Sequence, residues 1–272
     1  MANQSGFLET NAARIYHEVE GAGEPVVLIH AGIANLRMWD EQVPALSDTY
    51  RVIRYDTRGF GLTETDDVEF SNRADIAALL DHLGETSAHV VGISRAGQIA
   101  LDFALENPER VRSLVVANGG VSGYEAAEGD SSPWEQADAW LEAKDWEPLA
   151  AWEADFWVNG EGQPAGRADP AVRDRVHEWI LTNYRAEKIE GKPQVLDPPA
   201  AGRLHELRAP LMVIIGTADE ASTRASMRFL AESVPGARLE LFDGAAHMVN
   251  MEQPERFNRI LRDFIESART TS

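Results

Sequence analysis

Short runs of consecutive apolar residues, rich in valine and isoleucine, alternate along the chain with longer segments in which apolar residues recur every three or four positions. The runs are typical of strands buried on both faces, and the spacing is typical of helices with one buried side. The predicted strands are Phe7–Thr10, Arg14–Val19, Pro25–His30, Arg51–Tyr55, His89–Gly92, Ser113–Ala117, Pro210–Ile215 and Arg238–Phe242. The first two form a hairpin around Asn11. The predicted helices include Asn72–Leu83, Ala96–Glu106, Ser222–Ser233 and Pro254–Ser267. This alternation predicts an α/β protein with a mostly parallel, eight-stranded twisted sheet and helices on both faces.

The stretch from Val121 to Leu207 breaks the alternation, because it contains no convincing strand. Short helices are predicted there, separated by breaks at Pro148, 160–166 and 193–199. Six of the seven tryptophans fall inside it: Trp134, Trp140, Trp146, Trp152, Trp157 and Trp179. We predict a core of residues 1–120 and 208–272, and a helical, Trp-rich cap of residues 121–207 inserted before the last two strands. Each tryptophan either packs the cap onto the core or lines an apolar substrate pocket.

The composition of the chain limits the classes of molecule that the protein is expected to bind. The formal net charge is −20, from 45 acidic and 25 basic residues, which disfavours nucleic acid and an anionic membrane surface. There is no cysteine, so disulfides and cysteine-ligated metals are excluded. No secretory signal and no membrane-spanning stretch are recognised. We therefore expect a soluble, cytoplasmic protein, a monomer or homodimer, whose partner is a small molecule.

Residues 90–97 read Val-Val-Gly-Ile-Ser-Arg-Ala-Gly and join a predicted strand to a predicted helix. Such a turn pushes Ser94 out of the backbone plane and exposes its hydroxyl above a helix N-terminus. The turn needs small residues around the serine, and Gly92, Ala96 and Gly97 supply them. This is the nucleophile-elbow pattern Gly-x-Ser-x-Gly with alanine in place of the last glycine.

A serine hydroxyl needs a base and a group that orients the base. His247 follows the last predicted strand, and Asp219 follows the preceding one, so both loops reach the carboxyl edge of the sheet. Glu220 stands beside Asp219 as a second carboxylate, while the strand before the insertion ends in Ala117-Asn118-Gly119 without one. We therefore predict the triad Ser94, Asp219 and His247.

An oxyanion formed by attack of the serine needs backbone N–H donors. One donor is predicted to be Arg95, the residue after the nucleophile. The loop after the third predicted strand, which reads His30-Ala-Gly, supplies Gly32 as the other.

These motifs together resemble the α/β-hydrolase fold superfamily, in its capped group of esterases, enol-lactonases and C–C hydrolases. The resemblance rests on His30-Ala-Gly, Arg37-Met-Trp-Asp, the run Tyr55–Gly61, the elbow at Ser94, Asn107–Val111, Gly216–Asp219 and His247. It covers nearly the whole chain outside the cap. In this fold the triad residues occur along the chain in the order Ser, Asp, His, and the resemblance implies that the predicted triad follows this order. A serine at position 94 argues against the superfamily's dehalogenases and epoxide hydrolases, which carry aspartate as nucleophile.

Three residues depart from the usual pattern of this superfamily. Ala31 replaces the glycine of His-Gly, Ala96 replaces the last glycine of the elbow, and Arg95 stands where Met, Leu or Gln is common. The Arg95 side chain either binds a substrate carboxylate or pairs with an acidic neighbour. The acidity of the whole chain favours the second role.

The sequence thus predicts a cofactor-free serine hydrolase, a lactonase or esterase acting on a small carboxylic ester or lactone through an acyl-enzyme on Ser94. A C–C bond hydrolase of a vinylogous diketone would use the same residues. A non-catalytic ligand receptor of the same fold is the alternative from another class.

Overall fold

The computed structural model describes residues 4–125 and 132–269, with no side chain described at 132 and 133. Its main sheet contains eight strands in the spatial order β1-β2-β4-β3-β5-β6-β7-β8. These are β1 (Gln4–Thr10), β2 (Ala13–Glu20), β3 (Pro25–Ile29), β4 (Arg51–Tyr55), β5 (Ala88–Ile93), β6 (Val111–Ala117), β7 (Leu211–Gly216) and β8 (Arg238–Phe242). A two-residue strand, Glu64–Thr65, also pairs with β2. The predicted eight-stranded sheet is confirmed.

Strand direction divides the sheet into two parts. β1 pairs with β2, and β2 with β4, in antiparallel fashion. All later pairs, from β4–β3 to β7–β8, are parallel. Because parallel strands all point one way, the loops after β3, β5, β7 and β8 emerge at one edge.

The helices are α1 (Val43–Leu46), α2 (Asn72–His82), α3 (Arg95–Glu106), α4 (Ser132–Ala143), α5 (Trp146–Ala154), α6 (Pro170–Ala186), α7 (Ala221–Ser233), α8 (Val249–Glu252) and α9 (Pro254–Arg269). Helices outside the insertion flank the sheet on both faces. Successive side chains of a strand point to opposite faces, so Val27 and Ile29 of β3 join one apolar cluster and Val26 and Leu28 join the other. Helices α2, α3 and α7 pack in the first cluster, and α1 and α9 in the second.

Helix α9 shows why the periodic segments fold as helices. Its buried residues are Phe257, Ile260, Leu261, Phe264, Ile265 and Ala268. This spacing of three and four places them on one side of a 3.6-residue helix, where they meet the sheet. Of the helices in the described part of the chain, none has the length and apolar character needed to cross a membrane.

Helices α4, α5 and α6 all lie between β6 and β7 in the chain, where the sequence predicts a helical insertion. Two details differ from the prediction. Pro148 does not break a helix but occupies the first turn of α5, where a missing N–H costs no intrahelical hydrogen bond. The insertion also contains a two-residue strand, Lys192–Pro193, which pairs with Glu69–Phe70.

Candidate active site

The turn between β5 and α3 holds Ser94 in an unusual backbone conformation, with φ 61° and ψ −131°. Few residues other than glycine adopt a positive φ, and doing so stores strain. Two hydrogen bonds hold the turn: the Ser94 N–H donates to the Ala117 carbonyl at 3.0 Å, and the Gly97 N–H donates to the Ser94 carbonyl at 2.8 Å. The strain therefore persists, and the serine projects from the strand–helix junction.

The small residues beside Ser94 are required by close backbone contacts. A Cβ atom on Gly92 would lie 2.2 Å from the carbonyl oxygen of Ala96, and one on Gly97 would lie 3.0 Å from Val116 Cγ1. Ala96 is fully buried. The elbow therefore accepts alanine at position 96, whereas position 92 has no room for any side chain.

Asp219 and His247 meet at the carboxyl edge of the sheet, in the loops after β7 and β8. The Nδ1 atom of His247 lies 3.0 Å from Asp219 Oδ1 and 2.9 Å from Oδ2. Both side chains are buried, with 4% and 3% exposed. A carboxylate at this position fixes the imidazole tautomer that carries a proton on Nδ1, which leaves Nε2 free to accept a proton. Glu220 instead accepts a hydrogen bond from the Thr223 hydroxyl at 3.3 Å.

Asn118 joins the two loops that carry this pair. Its Nδ2 donates to the carbonyls of Ala246 and His247, both at 2.9 Å, and its Oδ1 accepts from the Gly216 N–H at 2.8 Å. The residue is buried at the end of β6 and has φ 41°, a conformation that asparagine tolerates better than most residues. Sequence reasoning missed this positioning role, although a polar residue at the end of a buried strand was a signal for it.

Trp157, from the helical insertion, covers the imidazole of His247. Their ring centroids are 4.4 Å apart, at an interplanar angle of 42°. The carbonyl of Trp157 also accepts a hydrogen bond from the His247 N–H at 3.2 Å. Of the tryptophans predicted either to pack the insertion or to line a pocket, Trp157 lines the cavity that contains Ser94.

The loop after β3 brings Gly32 next to Arg95. A Cβ atom on Gly32 would lie 3.3 Å from Arg95 Nε. The N–H of Gly32 has no hydrogen-bond partner in residues 4–125 and 132–269. Arg95 is the first residue of α3, so its N–H has no partner within the helix. Gly32 thus lies beside the Arg95 side chain, and the two N–H groups predicted as donors make no hydrogen bond of their own in the described residues.

His30 holds this loop in place. The ring is fully buried, its Nδ1 lies 2.8 Å from the Ala31 carbonyl, and its Nε2 accepts from the Thr57 N–H at 3.0 Å. Burial lowers the pKa of His30 to about 3, so the ring is neutral at physiological pH. His30 therefore supports the loop that carries Gly32 as a neutral structural residue.

Ser94 and His247 line one cavity of about 460 Å³, which we call the nucleophile cavity. Its other lining residues include Arg95, Gln98, Asn118, Tyr124, Trp157 and Ser226. Within the described ranges, the Ser94 hydroxyl makes no hydrogen bond of its own. Two of the three predicted triad residues therefore line one cavity, and the third, Asp219, contacts His247.

A second cavity, of about 280 Å³, lies on the other side of the Arg95 side chain. It is lined by Gly32, Ile33, Gly59, Phe60, Arg95, Glu153, Ile180, Asn183, Tyr184, Lys188 and Glu190. Arg95 lines both cavities and therefore stands at their boundary. As for metals, the part of the chain that the structure describes contains no cluster of three or more His, Asp or Glu side chains able to hold an ion.

A model of the alpha/beta hydrolase fold family matches residues 24–254 of the chain. The chain is 31% identical to 3-oxoadipate enol-lactonase 2 of Acinetobacter baylyi over 228 residues, which is 82% of each protein. It is also 31% identical to a 2-hydroxy-6-oxononadienedioate/2-hydroxy-6-oxononatrienedioate hydrolase of Paraburkholderia phymatum, over 93% of this chain and 91% of that protein.

A solved structure, the enol-lactonase of Burkholderia xenovorans, shares the fold with a TM-score of 0.77 at 24% identity, covering 96% of this chain and 99% of that one. The chain belongs to the alpha/beta hydrolase fold family and is a hydrolase. The predicted fold, and the prediction that the protein is a hydrolase, are thereby confirmed.

Proposed function

We propose that the protein is a serine hydrolase that cleaves a small carboxylic ester or lactone through an acyl-enzyme on Ser94. One observation carries the proposal: the elbow serine and the Asp219-bound imidazole of His247 line the same cavity. This combination provides a nucleophile, a base and a group that orients the base. The relatives named above include an enol-lactonase, whose name describes lactone cleavage.

In the proposed mechanism, His247 Nε2 takes the proton of the Ser94 hydroxyl as Oγ attacks the substrate carbonyl carbon. Asp219 holds the imidazole by its Nδ1 and stabilises the imidazolium that forms. The N–H groups of Gly32 and Arg95 stabilise the oxyanion of the tetrahedral intermediate. His247 then gives the proton to the leaving alkoxide, and the acyl group stays on Ser94. Water, deprotonated by His247, releases the acid and restores the serine. These steps need no cofactor.

We further propose that residues 121–207 form a cap over the site and that residues 1–120 and 208–272 form the core. The contact of Trp157 with His247 supports this division, because it places the insertion directly over the base. Substrate size would then be set mainly by the insertion. The partner we propose is a small uncharged or anionic ester.

The same triad would also serve a hydrolase that cleaves a carbon–carbon bond of a vinylogous diketone. The 31% identity to the 2-hydroxy-6-oxononadienedioate/2-hydroxy-6-oxononatrienedioate hydrolase favours testing this reaction as a second candidate. This carbon–carbon cleavage differs from ester or lactone cleavage in the bond that is broken, whereas the residues proposed to contact the substrate are the same.

The deciding experiment is a panel of 4-nitrophenyl esters and lactones of graded chain length, with a vinylogous diketone included, assayed with wild-type protein and Ser94→Ala. Intact-mass measurement during ester turnover should show the acyl adduct on the wild type and none on Ser94→Ala. Turnover of the diketone with no turnover of any ester or lactone would replace the first function by the second. Ester turnover that survives in Ser94→Ala would contradict both.

A further inference from the structure

Two cationic side chains, Arg95 and Lys188, line the second cavity without an ion-pair partner. In the described residues, no carboxylate oxygen lies within 4.0 Å of either charged group. Arg95 donates from Nη2 to the Thr57 hydroxyl at 2.8 Å, and Lys188 donates to the carbonyls of Gly61 and Thr63. Most other lysines and arginines of this acidic chain do pair with a carboxylate. Arg95 and Lys188 thus belong to the minority of cationic side chains in the described residues that no carboxylate contacts directly.

The guanidinium of Arg95 is held in place but not neutralised. Its Cζ lies 4.6 Å from the centroid of the Phe60 ring, and its Nε is buried without a hydrogen-bond partner among the described residues. Burial lowers the pKa of Arg95, while the charge of Glu190 acts on it in the opposite direction. A cation removed from water is costly unless an anion or further acceptors compensate it. The acidic neighbour that the composition of the chain favoured for Arg95 is not in contact with it.

The two carboxyl groups of the cavity do not fill this role. Burial raises the pKa of Glu153 to about 7, and its Oε1 accepts a hydrogen bond from the Tyr184 hydroxyl at 2.9 Å. Below that pH, Glu153 is largely neutral and can donate a hydrogen bond. Glu190 is exposed, lies over Gly59 and favours the charge of Arg95 without an ion pair between the two groups. Below about pH 7, the lining of the cavity therefore holds two cationic side chains against the one carboxyl group of Glu190.

The position of His247 indicates which half of a substrate enters each cavity. The leaving oxygen must receive its proton from His247, which lines the nucleophile cavity and not the second one. Gly32, a proposed oxyanion donor, lines the second cavity. The leaving group therefore occupies the nucleophile cavity, and the acyl chain extends past Gly32 and Arg95 into the second.

From these contacts we propose that the second cavity is an acyl subsite in which Arg95 binds a carboxylate at the far end of the substrate's acyl chain. The proposal rests on the function proposed above and narrows its substrate class to hemiesters or lactones of dicarboxylic acids. A carboxylate would supply two acceptor oxygens to the N–H groups of the Arg95 guanidinium, which lack them now. Lys188 and Asn183, which also line this cavity, would add charge and a polar contact.

The test compares mono-4-nitrophenyl esters of succinate, glutarate and adipate with the neutral diesters in which the free carboxylate is methylated and the 4-nitrophenyl group is kept. For each pair, the ratio of kcat/KM for the anionic substrate to that for the neutral one is measured in wild type, Arg95→Met and Arg95→Lys. Dividing by the neutral ester cancels any effect of the substitution on the oxyanion N–H. For the best chain length we expect the ratio to fall tenfold or more in Arg95→Met and to be partly restored in Arg95→Lys, which keeps the charge.

The matched control is Arg259→Met, because Arg259 is an exposed arginine of α9 and its removal changes the net charge equally. Its ratio should equal that of the wild type. An unchanged ratio in Arg95→Met would overturn the subsite. If both rates stayed at the wild-type level, Arg95 would have a packing role; if both fell equally, the substitution would act on the oxyanion directly. If Arg95→Met does not fold, Arg95→Lys and Lys188→Met are compared instead.

A binding measurement separates failure of the subsite from failure of the proposed function. Calorimetric titration of glutarate into Ser94→Ala and into Ser94→Ala/Arg95→Met requires no hydrolysis. We expect the dissociation constant to rise tenfold or more in the double variant. Such a rise without ester turnover by the wild type would refute the ester hydrolase and keep the subsite. Ester turnover with no Arg95-dependent binding or selectivity would keep the hydrolase and refute the subsite.

Discussion

The side-chain amide of Asn118 lies 2.9 Å from the carbonyl oxygen of His247, so the end of β6 directly holds the loop that carries the proposed base. The same side chain accepts a hydrogen bond from the N–H of Gly216, the last residue of β7. Gly216 precedes Ala218 by two residues and Asp219 by three. One residue thus fixes both members of the carboxylate–imidazole pair relative to each other. The pair depends on Asn118 for its geometry, although Asn118 takes no part in proton transfer.

Asn118→Ala should therefore lower kcat by roughly tenfold to a hundredfold, because small misplacements of a base carry costs of about that size. The kcat for a neutral ester and the rate of covalent labelling by a fluorophosphonate should fall together, because both reactions require activation of Ser94.

Loss of stability alone is controlled by Ser113→Ala. Ser113 lies in the same strand, and its buried hydroxyl contacts His89 Nδ1 at 2.8 Å, away from the carboxyl edge. This variant should lower the unfolding temperature and leave kcat near that of the wild type. If Asn118→Ala behaves in the same way, Asn118 has no positioning role.

Ser94→Ala should reduce kcat for ester hydrolysis by about 10⁴–10⁶, the size of effect reported when a serine nucleophile is removed. The side chain is partly exposed at the elbow, so its loss should leave the fold intact. Circular dichroism checks the fold, and stopped assays check the rate. Ser233→Ala, at the end of α7, is the matched control and should keep the wild-type rate. Turnover by Ser94→Ala near the wild-type rate would disprove the mechanism.

Asp219→Asn should reduce kcat by about 10²–10⁴, because the imidazole loses both its orientation and the counter-charge for its cation. Glu220→Gln is the neighbouring control and should have a much smaller effect, since Glu220 accepts from Thr223 and not from His247. Both variants remove one negative charge, so the comparison isolates the effect of the contact between the carboxylate and His247. A reversed order of the two effects would identify Glu220 as the acid.

The elements that the sequence could predict are those that depend on local patterns. The apolar runs placed the eight strands within a few residues of their positions. The order of the strand ends then indicated which loops share an edge, so Ser94, Asp219 and His247 could be chosen before any contact was known.

Asn118 and Trp157 could not be assigned in this way, because their contacts with the His247 loop join parts of the chain that are distant in sequence. The Arg95 side chain illustrates the same limit. Its place beside Ser94 was evident, but its contacts with Thr57 and Phe60 depend on how the loop after β4 returns to α3. Pro148 fits the first turn of a helix as well as it fits a break, and only its neighbours decide between the two.

Glu153 should make stability depend on pH, because burial raises its pKa from the usual 4.5 to about 7. Between these values the folded protein keeps the proton while the unfolded chain releases it. The folded state thus binds more protons there, and the free energy of unfolding decreases as pH rises from about 4.5 to about 7. At about 1.4 kcal/mol per pKa unit, the contribution of Glu153 is at most roughly 3–4 kcal/mol.

Glu153→Gln should remove this contribution, since glutamine cannot ionise and its carbonyl can still accept from Tyr184. The stability gained by the variant relative to wild type, from urea unfolding, should grow with pH up to about 7 and then stay constant. Asp56, whose pKa burial raises to about 6, adds a similar slope to both proteins, so only the difference between them reports on Glu153. Glu142→Gln, an exposed position of α4, should show no such growth. A difference between Glu153→Gln and wild type that does not change with pH would mean that Glu153 ionises normally in the folded protein.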